Sequence, residues 1–268
     1  MTAKLIRLLF AACLLVPATA HAERSDWSAA EQSQLRLLLG GKQAGRIAGG
    51  IEIVLEPGWY TYWRNPGEAG LPPVFDFSGS ENVADVEVLY PAPERHDDGT
   101  SVSLIYRDEV VFPVAITPLE PGKPVRLMLD ASFGVCREVC ISTDARSSVS
   151  SPSLPRSDAL TEARLGRYRP LVPKPAEPGR FDVEKVSVEG EFLLIDVRLP
   201  EASYFDLFAD PPAGWFIGQP ALVSRDAGVA RYRLPLAGRP QDAAILGQRF
   251  RFVAIAGSEA IEKAVEIR

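Results

Sequence analysis

Short apolar runs separated by turn residues, at intervals of about ten, dominate this chain. Strong helical periodicity is rare, and proline and glycine are frequent. That spacing predicts an all-β sandwich architecture. Residues 34–39 and 47–55 read as paired strands joined through GGKQAGRIAGG. This join lacks the lysine–serine/threonine ending of a phosphate loop and reads as a flexible hairpin connection. EPGWYTYWRNPGEAGLPP then reads as a long loop carrying Trp59, Tyr60, Tyr62 and Trp63. Aromatics so placed plug one end of a sandwich or offer a ligand platform. PVFDF, VADVEVLY, SVSLIY, EVVFPVAI and PVRLMLD continue the strand pattern, with Val125, Leu127 and Leu129 on one face. ARSSVSS is expected to close a first domain near Pro155.

Residues 157–168 form the one helical pattern, with Ser157 as its expected cap. RPLVPKPAEPG, with four prolines, reads as a semi-rigid linker. A second series of strands follows: FDVEKVSV, EFLLIDVRL, ALVSR, VARYRLPL, RFRFVAIA and AIEKAVEI, with a hairpin turn at Val188-Glu189-Gly190-Glu191. The expected division is a leader over 1–22, a first β domain over 23–155, a helix and linker over 156–179, and a smaller β domain over 180–268.

The start of the chain changes where this protein is expected to work. Lys4 and Arg7 precede a short apolar run, and Ala20-His21-Ala22 offers a cleavage site before Glu23. That reads as a secretory signal, with an apolar run too short to span a bilayer. Cys13 lies inside the run, with fewer apolar residues before it than an export signal needs, so a lipid anchor there is disfavoured. Removing these 22 residues takes away two positive charges and no acids, moving the net charge from −6 to −8. An acidic exported chain without basic clusters suits neither nucleic acid nor anionic lipid. No later stretch is apolar and long enough to cross a membrane. The expected location is the periplasm, where disulfides persist.

Only Cys136 and Cys140, in FGVCREVC, remain after the leader. Two sulfurs build neither a multi-disulfide scaffold nor a thiolate metal cage. On spacing alone the pair is a redox couple, a structural bridge or, least readily, a metal site. In an extended strand residues four apart lie about 13 Å from each other, too far to bridge. A turn through Arg137, Glu138 and Val139, or a single helical turn, brings them within range. Arg137 favours the thiolate and Glu138 opposes it. Phe133 and Val135 are positioned either to shield the sulfurs or to fill a core. His96, in PERHDDGTS, is the one histidine left outside the leader, which excludes a zinc site of histidines. No glycine pattern suits a nucleotide, and the carboxylates are too scattered to nominate a glycosidase pair.

Four motifs, PGWYTYWRNPGEAGLPP, LYPAPERHDDG, IYRDEVVFPV and FGVCREVC, stand in an order and spacing covering residues 34–150. In them the chain resembles the periplasmic amino-terminal domain of the thiol:disulfide interchange protein DsbD. It is more similar still to the related domains of suppressor-of-copper-sensitivity membrane reductases. The resemblance implies an immunoglobulin-like β-sandwich in which Cys136 and Cys140 are a redox-active pair. It implies an acidic cap loop at His96, Asp97, Asp98 and Gly99, with Tyr106 just after it, and no cofactor or metal. By the same analogy Cys140 forms the mixed disulfide with partners and Cys136 resolves it. The implied partners are a membrane-embedded thiol reductase and periplasmic thioredoxin-like or client proteins, including those of cytochrome c maturation or copper handling. Three features depart from the family pattern. The spacing C-x-x-x-C is tighter than that of the best-known member, Gly99 and Thr100 replace an aromatic lid, and the chain ends without membrane or thioredoxin-like domains. Two rival readings are a non-catalytic immunoglobulin-like accessory module with a structural bridge, and a copper(I) carrier. Met128 is the only methionine available to the latter beyond the leader.

Overall fold

The computed structural model describes residues 24–151 and 158–268. The expected leader over 1–22 and its cleavage site, Ser157 and Pro155 lie outside the described residues. The first domain runs β1 (Ser28–Ala30), β2 (Ser33–Gln43), β3 (Arg46–Leu55), β4 (Tyr60–Gly67), β5 (Val74–Asp76), β6 (Val83–Val88), β7 (Glu94–Asp97), β8 (Val102–Arg107), β9 (Glu109–Pro118), β10 (Val125–Cys136) and β11 (Cys140–Ser151). One sheet has the order β1-β2-β3-β9-β6. The other has β11-β10-β4-β8-β7, with β5 paired to β10. The two sheets close over one core that includes Leu35, Leu37, Ile51, Phe112, Leu127, Leu129 and Phe133, an immunoglobulin-like sandwich. Val125, Leu127 and Leu129 do share the buried face, while Arg126 between them and Asp130 just beyond are exposed and Met128 is half-buried.

The glycine-rich join between β2 and β3 is tighter than its reading as a flexible connection. In GGKQAGRIAGG the chain reverses only at Ala44-Gly45, where both φ values are positive (49° and 82°). That suits a tight hairpin, and glycine tolerates it best. Gly40, Gly49 and Gly50 instead lie within β2 and β3. Gly40 and Gly50 are small because helix α1 (Ala159–Tyr168) packs on the outside of this sheet, whereas a methyl on Gly49 would meet the Leu38 carbonyl and Val114. A methyl on Gly40 or Gly50 would stand 3.0 or 2.9 Å from the Leu165 methyl groups. β2 and β3 are thus covered on both faces, which is why LLLGG does not alternate. The helix is capped by Asp158, whose carboxylate accepts a hydrogen bond from Thr161 N at 2.8 Å. Arg164 ties it to buried Glu52 (2.6 Å) and to Glu109 (2.8 Å).

The second domain comprises β12 (Lys174–Pro175), β13 (Asp182–Glu189), β14 (Phe192–Arg198), β15 (Phe205–Asp210), β16 (Ala221–Asp226), β17 (Val229–Pro235), β18 (Arg249–Ala256) and β19 (Glu259–Glu266). Its sheets, β12-β19-β18-β15 and β13-β14-β17-β16, enclose Phe181, Ile195, Tyr232, Phe250 and Phe252. The β13–β14 reversal falls at Gly190-Glu191, one residue later than the centre of the expected turn. Part of the proline-rich segment is not a free linker, because Lys174–Pro175 pairs in parallel with β19. Strand β15, absent from the sequence reading, carries the contact between domains. Its Phe208, with Val253, joins the first domain's core, and the Phe208 ring lies 6.4 Å from Trp63. Arg64 pairs with Asp210 at 2.8 Å and with Glu262. Arg95 grips Asp206 with two hydrogen bonds, at 2.9 and 2.8 Å, and donates to the Leu207 and Pro220 carbonyls. Among the described residues no helix is long and apolar enough to cross a membrane.

Candidate functional site

Alternation along β10 sends Phe133 and Val135 into the core and leaves Gly134 and Cys136 on the outer face of the sheet. The chain then turns through Arg137, Glu138 and Val139, all exposed, and enters β11. Cys140 is thereby set directly opposite Cys136, with Cα atoms 4.1 Å apart and a disulfide between them. The hairpin, not a helical turn, makes the bridge. The two cysteines have different surroundings: Cys136 is buried, whereas Cys140 is exposed. A thiolate arriving from solvent therefore meets Cys140 first.

Strand β4 supplies the neighbouring side chains. YTYW is a strand here, not a loop, and its alternation divides the aromatics. Trp63 faces the core beside Phe208, while Tyr60 and Tyr62 face the sulfurs. Tyr60 stands opposite Cys136 in the register. The Tyr62 hydroxyl lies 3.1 Å from Cys140 Sγ. Tyr60, Tyr62, Ile105 and Cys136 form a small apolar cluster separate from the main core. Burial pushes the Tyr62 phenol well above its ordinary range, assisted by Tyr60 and the charge of Asp98. Tyr62 therefore stays protonated and able to donate to sulfur. Trp59 lies below the Arg137 guanidinium, 6.0 Å from its ring centre, at the cysteine turn.

The end of β4 and the chain that follows it, residues 66–72, pack on the outer face at Gly134 and Tyr62. Gly134 N donates to the Leu71 carbonyl at 3.2 Å. A methyl on Gly134 would stand 2.7 Å from Leu71 Cβ, and one on Gly70 (φ 120°) would fall inside the Tyr62 ring contact, at 2.2 Å. Both positions need glycine for this segment to sit this close.

The residues of the expected cap divide. His96, at the end of the β7–β8 hairpin, packs edge-on against Tyr60 with ring centres 5.1 Å apart. Its Nδ1 lies 3.0 Å from the Arg107 guanidinium. Asp97 accepts from Gly99 N at 2.8 Å. Asp98 accepts from Thr100 N, Thr100 Oγ1 and Ser101 N at 2.7–2.8 Å. Those bonds, Thr100's first, hold its carboxyl well below the usual carboxylate range. The acidic pair thus folds the cap turn on itself, and Asp98 reaches the site through its field at Tyr62. Tyr106 sits on the other face of β8, in the core. There it lies edge-on to Phe112 at 5.3 Å and donates to the Pro91 carbonyl at 2.7 Å. The structure therefore gathers Cys136, Cys140 and His96 around Tyr60 and Tyr62, and places Tyr106 away from the sulfurs.

Among the described residues no group of three or more His, Cys, Asp or Glu side chains is arranged to hold a metal ion. The chemistry that this arrangement offers is exchange at one accessible sulfur, backed by a buried one and an adjacent phenol.

No curated protein sequence matches the chain. The crystal structure of the N-terminal periplasmic domain of ScsB from Proteus mirabilis superposes with a TM-score of 0.74 at 22% identity, covering 91% of this chain and 98% of that one. The fold of the described residues is thus a known one. Residues 30–152 match the model of the family described as "Thiol:disulfide interchange protein DsbD, N-terminal". The first sandwich, with its Cys136–Cys140 bridge, thus matches the DsbD amino-terminal family of thiol:disulfide interchange domains.

Proposed function

We propose that this protein passes reducing equivalents in the periplasm, from a membrane-embedded thiol reductase to thioredoxin-like or client proteins, through Cys136 and Cys140. The observation that carries this reading is the asymmetry of the bridge: Cys140 exposed, Cys136 buried, and the Tyr62 hydroxyl 3.1 Å from Cys140 Sγ. A reduced donor thiolate attacks Cys140 Sγ. The Cys136–Cys140 bond breaks, and Cys136 leaves as a thiolate that takes up a proton. The donor's second thiol then attacks the mixed disulfide, leaving the donor oxidised and Cys140 as a thiolate, a transfer of two electrons. Delivery runs the same steps in reverse, with Cys140 attacking an oxidised client and Cys136 resolving the mixed disulfide. Tyr62 steadies the Cys140 thiolate by donating to it. No cofactor enters these steps.

The family of the first sandwich supports the exchange chemistry, and the periplasmic ScsB domain of the same fold supports the location, as does the leader-like sequence over 1–22. Clients in copper handling or cytochrome c maturation fit the same reading. Trapping tests the assignment of sulfurs. With Cys136→Ser, Cys140 should hold an oxidised thioredoxin-like partner as a stable mixed disulfide; with Cys140→Ser it should not. Trapping by Cys136 in preference to Cys140 would reverse the assignment, and trapping by neither would remove it.

A further inference from the structure

We infer that the cleft between the two domains, rimmed by Phe216, receives an extended apolar segment of the partner protein, next to the partner cysteine that joins Cys140. This rests on Cys140 being the sulfur that partners meet. The cleft holds about 320 Å³, at the lower end of the range for ligand sites. The first domain lines one side and the loop over 211–216 of the second domain lines the other. Four lining positions are prolines: Pro66, Pro72, Pro211 and Pro212. None has an N–H to offer, so these walls present rings and carbonyls rather than donors. The walls are tied to each other across the domain boundary. Arg64 pairs with Asp210 at 2.8 Å, and Asn65 Nδ2 donates to the Ala209 carbonyl at 2.8 Å. The cleft is therefore formed before anything enters it.

The rim is built to present Phe216. Its neighbours Trp215 and Ile217 are buried, Trp215 edge-on to Phe250 with ring centres 5.6 Å apart. Phe216 N donates to the Gly238 carbonyl at 3.3 Å, and a methyl on Gly238 would stand 2.0 Å from the Phe216 carbonyl oxygen. With its backbone held and both neighbours turned inward, Phe216 points out and is 84% exposed, the most of any large apolar side chain among the described residues. Val139, at 68%, is second, and it directly precedes Cys140. A scattered apolar residue on a surface needs no explanation, but a fixed aromatic at the mouth of an apolar-walled cleft is the kind of anchor that interfaces use. The cleft also reaches the exchange site. Gly70 lines it and lies against the Tyr62 ring, whose hydroxyl is 3.1 Å from Cys140 Sγ. The cleft thus begins one phenol ring away from the sulfur, and an extended chain rising about 3.3 Å per residue passes from one to the other in a few residues. The hairpin tip, with residues 137–140 exposed, offers far less than the roughly 800 Å² per partner of a stable interface, and the cleft adds to it.

Two short peptides test this, each with one cysteine joined to thionitrobenzoate. One has leucine and phenylalanine on both sides of the cysteine; the other has serine and glycine. In a Cys136→Ser background the Cys140 thiolate attacks the peptide sulfur. The new disulfide joins Cys140 to the peptide, the old one breaks, and thionitrobenzoate leaves with the electron pair and is read by its colour. The apolar peptide should react about threefold to tenfold faster than the polar one, the worth of one aromatic contact. Phe216→Ser, which removes the anchor, and Ala213→Arg, which puts a charge into the cleft, should each abolish that preference. Both positions are exposed, so neither change threatens the fold. Leu246→Ser, at an exposed apolar position outside the cleft, should leave the preference as it was. Equal rates for the two peptides would overturn the inference, as would a preference that survives Phe216→Ser or Ala213→Arg. Failure of Cys140 as the reacting sulfur would show separately, as no release of thionitrobenzoate from Ellman's reagent, which is too small to need the cleft.

Discussion

The Tyr62 hydroxyl lies 3.1 Å from Cys140 Sγ, reaching it from β4 across the outer face of the sheet. On the proposed function the same hydroxyl should donate to the Cys140 thiolate of the reduced protein, and a hydrogen bond to a charged group contributes about 1.5–3 kcal/mol. Tyr62→Phe removes it. The alkylation rate of Cys140 against pH, measured in a Cys136→Ser background, should move its midpoint upward. Exchange at pH 7 should slow by about threefold, because the more basic thiolate is scarcer but more nucleophilic. An unchanged midpoint would mean that the phenol packs on the sulfur without stabilising its charge.

Replacing both cysteines by serine should leave the fold intact. The bridge closes a loop of only five residues, and the chain-entropy model assigns such a loop about 2 kcal/mol. β10 and β11 remain paired along their full length without it. Chemical denaturation should show a cooperative transition lowered by about that amount, with exchange abolished. Loss of folding would favour a structural bridge.

Arg95→Ala should uncouple the two domains. Its guanidinium meets Asp206 with two bonds and two backbone carbonyls besides, and removing it leaves a largely buried carboxylate facing no cation at that point. Because Arg95 remains a quarter exposed, the expected loss is about 1–3 kcal/mol, less than for a fully buried pair. Denaturation followed separately in each domain should turn from one transition into two.

Acid should release helix α1 before either sandwich unfolds. Hydrogen bonds from Arg164, with its charge, Tyr168 and Arg167, hold the Glu109 carboxyl below its ordinary value against the opposing effect of burial. A depressed carboxylate stabilises the folded state fully above its unfolded pKa, about 4.3, and loses that contribution as pH falls through the lower folded value. Amide exchange over residues 159–168 should therefore rise below about pH 4 in wild type. In Glu109→Gln the helix should be looser at neutral pH and less sensitive to acid.

The sandwich architecture and the cysteine hairpin were legible because both rest on local patterns: period-two alternation, and a turn that must fold Cys140 back on Cys136. What was hidden depends on faces that a single segment does not reveal. Gly40 looks like a loop residue and nothing local explains Gly50 in its strand, yet both are strand positions emptied for Leu165, more than 110 residues away. WYTYW concealed its division between core and sulfurs because aromatics occupy both faces; the alternating threonine at position 61 was the available signal. Asp97 and Asp98 read as a cap, and the structure shows them spent on their own turn. Strand β15 escaped notice because FDLFAD alternates weakly: Phe208 leaves its own sandwich for the first domain's core, so both faces are buried.

Equilibrating the purified protein with thiol buffers of known potential, and counting free thiols at Cys136 and Cys140, tests the central claim most directly. An exchange protein should titrate as one two-electron couple between about −120 and −270 mV. A bridge that stays oxidised to below about −300 mV would contradict the account and leave a stapled sandwich that carries no electrons.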